Sequence, residues 1–79
     1  MLFRSRTIER AFGLLLDNGV WHYVCDMGRQ HLFNLRDDPK EQTNLFGRPE
    51  TAPVMERVRK LISERPQLKR VATKYKIAL

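Results

Sequence analysis

Asn18-Gly19 stands between the apolar run Ala11-Phe-Gly-Leu-Leu-Leu16 and the aromatic run Trp21-His-Tyr-Val-Cys25. Both residues of that pair tolerate the positive φ of a type I′ turn, which makes it a strong short-range hairpin signal. A reversal here commits the first part of the chain to antiparallel strands. The spacing predicts three, at about Phe12 to Leu16, Trp21 to Cys25 and His31 to Leu35, with the second reversal at Met27-Gly28-Arg29. Period two puts Trp21, Tyr23 and Cys25 on one face of the middle strand and His22 and Val24 on the other. Phe33 and Leu35 are separated from Leu32 in the same way. Asp37-Asp38-Pro39 then ends the sheet, because proline has no amide to give to a ladder. In the polar loop that follows, Lys40 to Gly47, Leu45 and Phe46 are expected to pin the chain to the core.

From about Pro49 to Arg65 the apolar period becomes helical. Val54, Val58, Leu61 and Ile62 fall on one stripe with Met55 beside it, and Glu56, Arg57, Arg59, Lys60 and Glu64 take the opposite side. Pro49 and Pro53 are tolerated near a helix start, where amides are unpaired anyway, and Thr51 is placed to cap the regular part. Pro66 stops the helix. A second, weaker helix over about Gln67 to Ala78 aligns Leu68, Val71, Ala72 and Tyr75. The expected fold is therefore α+β, a small antiparallel sheet of about three strands followed by one or two C-terminal helices. It divides into a basic N-terminal extension (1–11), a sheet-and-helix unit (12–65) and a basic C-terminal helix or tail (66–79).

Seventy-nine residues hold one small domain with a thin core. The net charge of +6 is carried by the ends. Residues 11–65 balance eight Lys/Arg against eight Asp/Glu, whereas Arg4, Arg6 and Arg10 face only Glu9, and Lys69, Arg70, Lys74 and Lys76 face no acid at all. No apolar run approaches the ~18 residues a membrane-spanning helix needs. The run at Ala11 to Leu16 is too short for a signal peptide and has no small-residue cleavage site before Asp17. The compartment stays open. Cys25 is the single cysteine, which leaves no intramolecular disulfide and no cysteine metal cluster.

Three pieces occur in order: Asp17-Asn-Gly-Val-Trp-His-Tyr-Val24, then Gln30-His-Leu-Phe-Asn-Leu-Arg-Asp-Asp-Pro-Lys-Glu-Gln-Thr-Asn-Leu45, then Gly47-Arg-Pro-Glu50 opening the amphipathic helix. Together they resemble the C-terminal subdomain of the sulfatase family, within the alkaline phosphatase superfamily. Trp21, Tyr23 and Val24 match its first piece and Leu32-Phe33-Asn34-Leu35 its second. Asp38-Pro39, Glu41, Asn44 and Leu45 match its third, while His22 replaces the usual Lys and Lys40 the usual Gly. The resemblance covers roughly residues 12–65. It implies a small sheet and a terminal helix set against a large α/β catalytic domain, or self-association when that domain is missing. It also implies, for a parent enzyme, sulfate-ester hydrolysis by a formylglycine held with a divalent cation, calcium, in the catalytic domain. None of that chemistry is expected in this chain, where no catalytic and no metal residue is assigned.

Cys25-Asp-Met-Gly-Arg29 mimics the Cys/Ser-X-Pro-X-Arg motif in its Cys and Arg, but Met27 stands where proline belongs, inside a hairpin. A buried apolar cysteine is the simpler reading. Asp37 and Asp38 are adjacent in a turn, where a hard cation would need about six convergent oxygens. His22 and His31 lack a third ligand. His22 is the substrate-lining candidate, since it replaces the family's Lys where a hydrogen-bonding side chain would face an anionic substrate. Marginal stability is expected, with dimerisation or partial unfolding of the chain alone.

The competing function is a small basic module for an anionic polymer or a membrane surface, with Lys69, Arg70, Lys74 and Lys76 as its anion-binding residues. Trp21, Tyr23 and Phe33 are spaced as core rather than as a base-stacking platform, so no specific nucleic acid is expected. A free-standing enzyme needs a nucleophile, a base and a stabilising group converging in one pocket, and no such set can be assembled.

Overall fold

The computed structural model describes residues 10–79. The expected basic extension, with Arg4, Arg6 and Glu9, therefore lies outside the described residues except for Arg10 and Ala11. Three strands, β1 (Ala11–Leu16), β2 (Trp21–Asp26) and β3 (Arg29–Asn34), form an antiparallel sheet in the order β1-β2-β3. A 3-10 turn over Pro49–Thr51 leads into helix α1 (Ala52–Ser63), and Pro66 opens helix α2 (Pro66–Lys74). The fold is α+β.

Each reversal is made by backbone in the left-handed region. Asp17, Asn18 and Gly19 have φ of 54°, 57° and 87°, and the amides of Gly19 and Val20 donate back to the carbonyls of Leu16 and Asp17. Val20 lies outside the β1–β2 ladder, so the loop between β1 and β2 is longer than the two residues expected at Asn18-Gly19. The second hairpin is the tight one. Asp26 pairs with Arg29 across Met27 (φ 52°) and Gly28 (φ 89°). A Cβ on Gly28 would sit 3.2 Å from Cβ of Tyr75, so this hairpin tip and the end of α2 approach as closely as a hydrogen side chain permits. That tight turn starts β3 at Arg29 rather than His31 and ends it at Asn34.

The register sets Phe12 against Cys25, Leu14 against Tyr23 and Leu16 against Trp21, with Leu32 beside Tyr23 on the far side. Alternation carries these residues to one face of the sheet, where α1 and α2 cover them. Tyr23, Cys25, Leu32, Val58, Ile62 and Ala72 are wholly buried there, joined by Phe12, Leu16, Val54, Met55 and Val71. Burying a side chain the size of Leu32 or Ile62 contributes about 1.5–3 kcal/mol. Leu68, Tyr75 and Ile77 pack against the same core, so the C-terminal segment belongs to it and is not a loose tail.

Helix α2 stops at Lys74, short of the expected Ala78. Lys76 takes a left-handed φ of 61°, the amide of Ile77 donates to the carbonyl of Ala72, and that of Lys76 to Thr73. This is a Schellman closure with lysine in the position that glycine usually fills. Thr51 is also used differently from expectation. It is the residue before α1, but its hydroxyl makes no cap bond and donates instead to the carbonyls of Leu45 and Arg48, which fastens the preceding loop. Leu45 is half-buried, as a loop anchor should be, whereas Phe46 is exposed.

Candidate functional site

The sheet face turned away from the helices carries Leu15, His22 and Phe33 in one row and Gly13, Val24 and His31 in the next. Leu15 is 64% exposed, and His22, Val24, His31 and Phe33 are half-buried. The His31 and Phe33 rings stack with centroids 6.0 Å apart and planes 9° off parallel, and the His22 ring tilts against Phe33 at 6.5 Å. Gly13 is what gives the His22 ring room, because a Cβ there would lie 3.2 Å from its Nε2.

His22 is oriented by Glu41, which sequence reasoning placed in the matched motif but gave no task. Nδ1 of His22 donates to Oε2 of Glu41 in a close contact. Glu41 reaches it from a left-handed backbone, φ 55°, at the end of the Asp38-Pro39 turn. The amide of Glu41 donates to the Asp38 carbonyl, and the Asp38 carboxylate accepts the amides of Gln42 (3.0 Å) and Thr43 (2.9 Å). Asp38 is thus a turn organiser that presents Glu41 to the sheet. With Nδ1 holding its proton against a carboxylate, Nε2 is left as an acceptor when the ring is neutral and a donor when it is charged. Only the position of Glu41 after Asp-Pro hinted at this pairing, since the partners are 19 residues apart with the rest of β2, all of β3 and the following turn between them.

The four C-terminal cations are exposed. Lys69, Arg70 and Lys74 stand on α2, with Arg70 and Lys74 one turn apart and Lys74 Nζ 5.6 Å from the centroid of the Tyr75 ring. Lys76 lies beyond the helix in the left-handed closure. Another basic region escaped the sequence. A cleft of about 530 Å³ between the end of β1 and α1 is lined by the cations Arg57, Lys60 and Arg65, the carboxylates Asp17 and Glu64, and Leu15, Leu16 and Leu61. Arg57 donates two parallel bonds of 2.8 Å to the carboxylate of Asp17, holding that carboxyl below its ordinary range. This pair spans 40 residues and had no local signal.

Cys25 lies wholly buried on the covered face of β2, and burial pushes its thiol pKa up, with the Gly28 amide a smaller opposing influence. A thiol so placed is poor material for a nucleophile. Tyr23 beside it donates to Oε1 of Gln30 at 2.9 Å, and burial raises its pKa as well. Among the described residues no three His, Cys, Asp or Glu side chains converge. No described helix is long and apolar enough to cross a membrane.

What these features define as a class is a two-layer α+β unit with one covered and one open sheet face and a single oriented histidine on the open side. No family model, curated protein or solved structure matches the chain.

Proposed function

We propose that this chain is the C-terminal subdomain of a sulfatase-type hydrolase, non-catalytic by itself, which completes the substrate-side rim of a catalytic domain. The observation that carries the reading is the ordered set Trp21, Tyr23, Val24, then Leu32-Phe33-Asn34-Leu35, then Asp38-Pro39, Glu41, Asn44 and Leu45. Physical roles for several of these residues support it. Tyr23 and Leu32 are core, Asp38 builds the turn, Asn44 and Leu45 bind the edge of β3, and Glu41 aims His22. The open sheet face is where a catalytic domain would seat, and His22 Nε2 is the group offered to an anionic substrate at that seam.

Complementation tests this. The purified chain is mixed with a sulfatase from which the C-terminal subdomain has been deleted, and hydrolysis of an aryl sulfate is followed. Restored turnover, reduced by His22→Ala without loss of binding, is the expected result. Failure to bind, together with no Cys/Ser-X-Pro-X-Arg motif encoded upstream of Met1, would sink the reading.

A second reading rests on charge. Residues 49–79 carry eight Lys/Arg against three Glu, while residues 10–48 carry five against five. A helical layer so biased suits an anionic polymer or membrane surface, with Lys69, Arg70, Lys74 and Lys76 in contact. Binding of heparin or anionic vesicles that weakens steeply with salt would favour it over the first.

A further inference from the structure

The two edges of the sheet are treated differently by this chain. Val20 and Leu35 exchange a ladder bond, the amide of Leu35 donating to the carbonyl of Val20 at 2.7 Å, so alternation directs the amides and carbonyls of Gln30, Leu32 and Asn34 off the sheet. The following loop meets most of them. Asn44 Oδ1 accepts the Leu32 amide at 2.9 Å, Asn44 Nδ2 donates to the Gln30 carbonyl, Leu45 donates to the Leu32 carbonyl at 2.7 Å, and Asp38 donates to the Asn34 carbonyl at 2.8 Å. Loop residues stand in for a fourth strand.

On the other side the Met27 amide donates to the Arg10 carbonyl at 2.8 Å, which fixes Ala11, Gly13 and Leu15 as the residues of β1 whose amides and carbonyls point outward. Among the described residues nothing pairs with them. The strand, Ala11-Phe-Gly-Leu-Leu-Leu16, contains no lysine, no other charge and no proline, the residues that ordinarily guard an edge, and Leu15 is 64% exposed.

We propose that two copies of this chain pair β1 to β1 about a two-fold axis at Gly13, joining two three-stranded sheets into one. In this register Ala11 of each copy faces Leu15 of the other and Gly13 faces Gly13. Every outward amide and carbonyl of the strand then meets its counterpart, since the residues facing each other are those that exchange both bonds. Side-chain size is complementary too, with the large Leu15 beside the small Ala11 and no side chain at the axis. That self-complementarity is what selects a second copy, because an isologous interface requires one strand to satisfy itself in reverse. The two open faces and the two covered faces end on the same sides. The dimer is independent of the sulfatase reading and stands or falls separately.

Sedimentation equilibrium of the full 79-residue chain tests it. The mass is expected to rise from 9.4 kDa towards twice that value with concentration. Gly13→Pro removes an outward amide and leaves every donor of the β1–β2 ladder in place, while its Cβ, 3.2 Å from Nε2 of His22, shifts that ring; it is expected to be monomeric with strand content retained in the far-UV circular dichroism spectrum. Leu15→Lys, at an exposed position, is expected to do the same and serves if Gly13→Pro does not fold. Register is read by cysteine: Ala11→Cys mixed with Leu15→Cys should cross-link under oxidation, and Ala11→Cys alone should not. A chain monomeric at every concentration overturns the proposal. So does a dimer that persists in Leu15→Lys, which would place the contact away from β1 and from the open-face surface around Leu15.

Discussion

The two faces of the sheet are made by the same three strands and differ by one residue of register, yet they do opposite work. The helix-side face is closed over Tyr23, Cys25 and Leu32, and the open face leaves His22, Val24, His31 and Phe33 half-exposed around Gly13. Free energy of folding is concentrated on the first, because apolar area leaves water there. The second holds the one histidine whose orientation is fixed by a partner. In a chain this short, a partly uncovered apolar face is a cost to solubility, and its natural compensation is a surface brought by another molecule.

Substitution on the two faces gives the largest contrast. Leu32→Ala on the covered face is expected to cost about 2–5 kcal/mol, enough to unfold much of so small a domain. Leu15→Ser on the open face should cost below about 0.5 kcal/mol at monomeric dilution. Equal losses in urea denaturation would break the distinction between the faces.

Asn44→Ala comes next, because it strips a bond from the Leu32 amide, another from the Phe46 amide and a third from the Gln30 carbonyl. A loss of about 1–2 kcal/mol is expected, with hydrogen exchange accelerated at the Leu32 amide ahead of the other core amides. If that amide stays protected, the loop is not what seals this edge.

Gains are available where ordinary residues hold left-handed backbone. Met27 is 58% exposed at φ 52°, followed by Gly28 at φ 89°, so Met27→Asn should stabilise by about 0.5–1 kcal/mol in a thermal melt. No gain would mean that the Met27 side chain packs more than its exposure implies.

Smallest near neutrality, but specific to the covered face, is an alkaline effect. Burial raises the pKa of Cys25 above its ordinary 9.0 and of Tyr23 above 10.0. Unfolded chains therefore lose these protons first as pH rises. The contribution is fully present below about pH 9 and is lost through the alkaline range, since the folded state binds more protons there. Melting temperature should fall between about pH 8 and 11, and Tyr23→Phe should flatten part of that slope.

Particular residues show how far local pattern reaches. The strands, the helical stripe of Val54, Val58, Leu61 and Ile62 and the stop at Pro66 were legible because each is a periodicity or a backbone constraint within a few residues. Thr51 was misjudged as a cap for a related reason: it fits the local rule, but two carbonyls of the folded loop compete for its hydroxyl and win. Helix α2 looked longer than it is because its apolar spacing runs on past Lys74, and only the closure through Ala72 and Thr73 ends it.

By itself, the sequence determined the antiparallel hairpins, the α+β order and which residues of each strand share a face, and it marked His22 as a residue to watch. Tertiary structure alone decided that Glu41 would hold His22, that Arg57 would clamp Asp17, and that one sheet edge would be sealed by Asn44 while the other stayed unpaired among the described residues. Period and turn chemistry act over neighbouring residues and leave their mark in composition. A hydrogen bond between groups 12, 19 or 40 residues apart has no such mark, because it exists only after the chain between them has been folded.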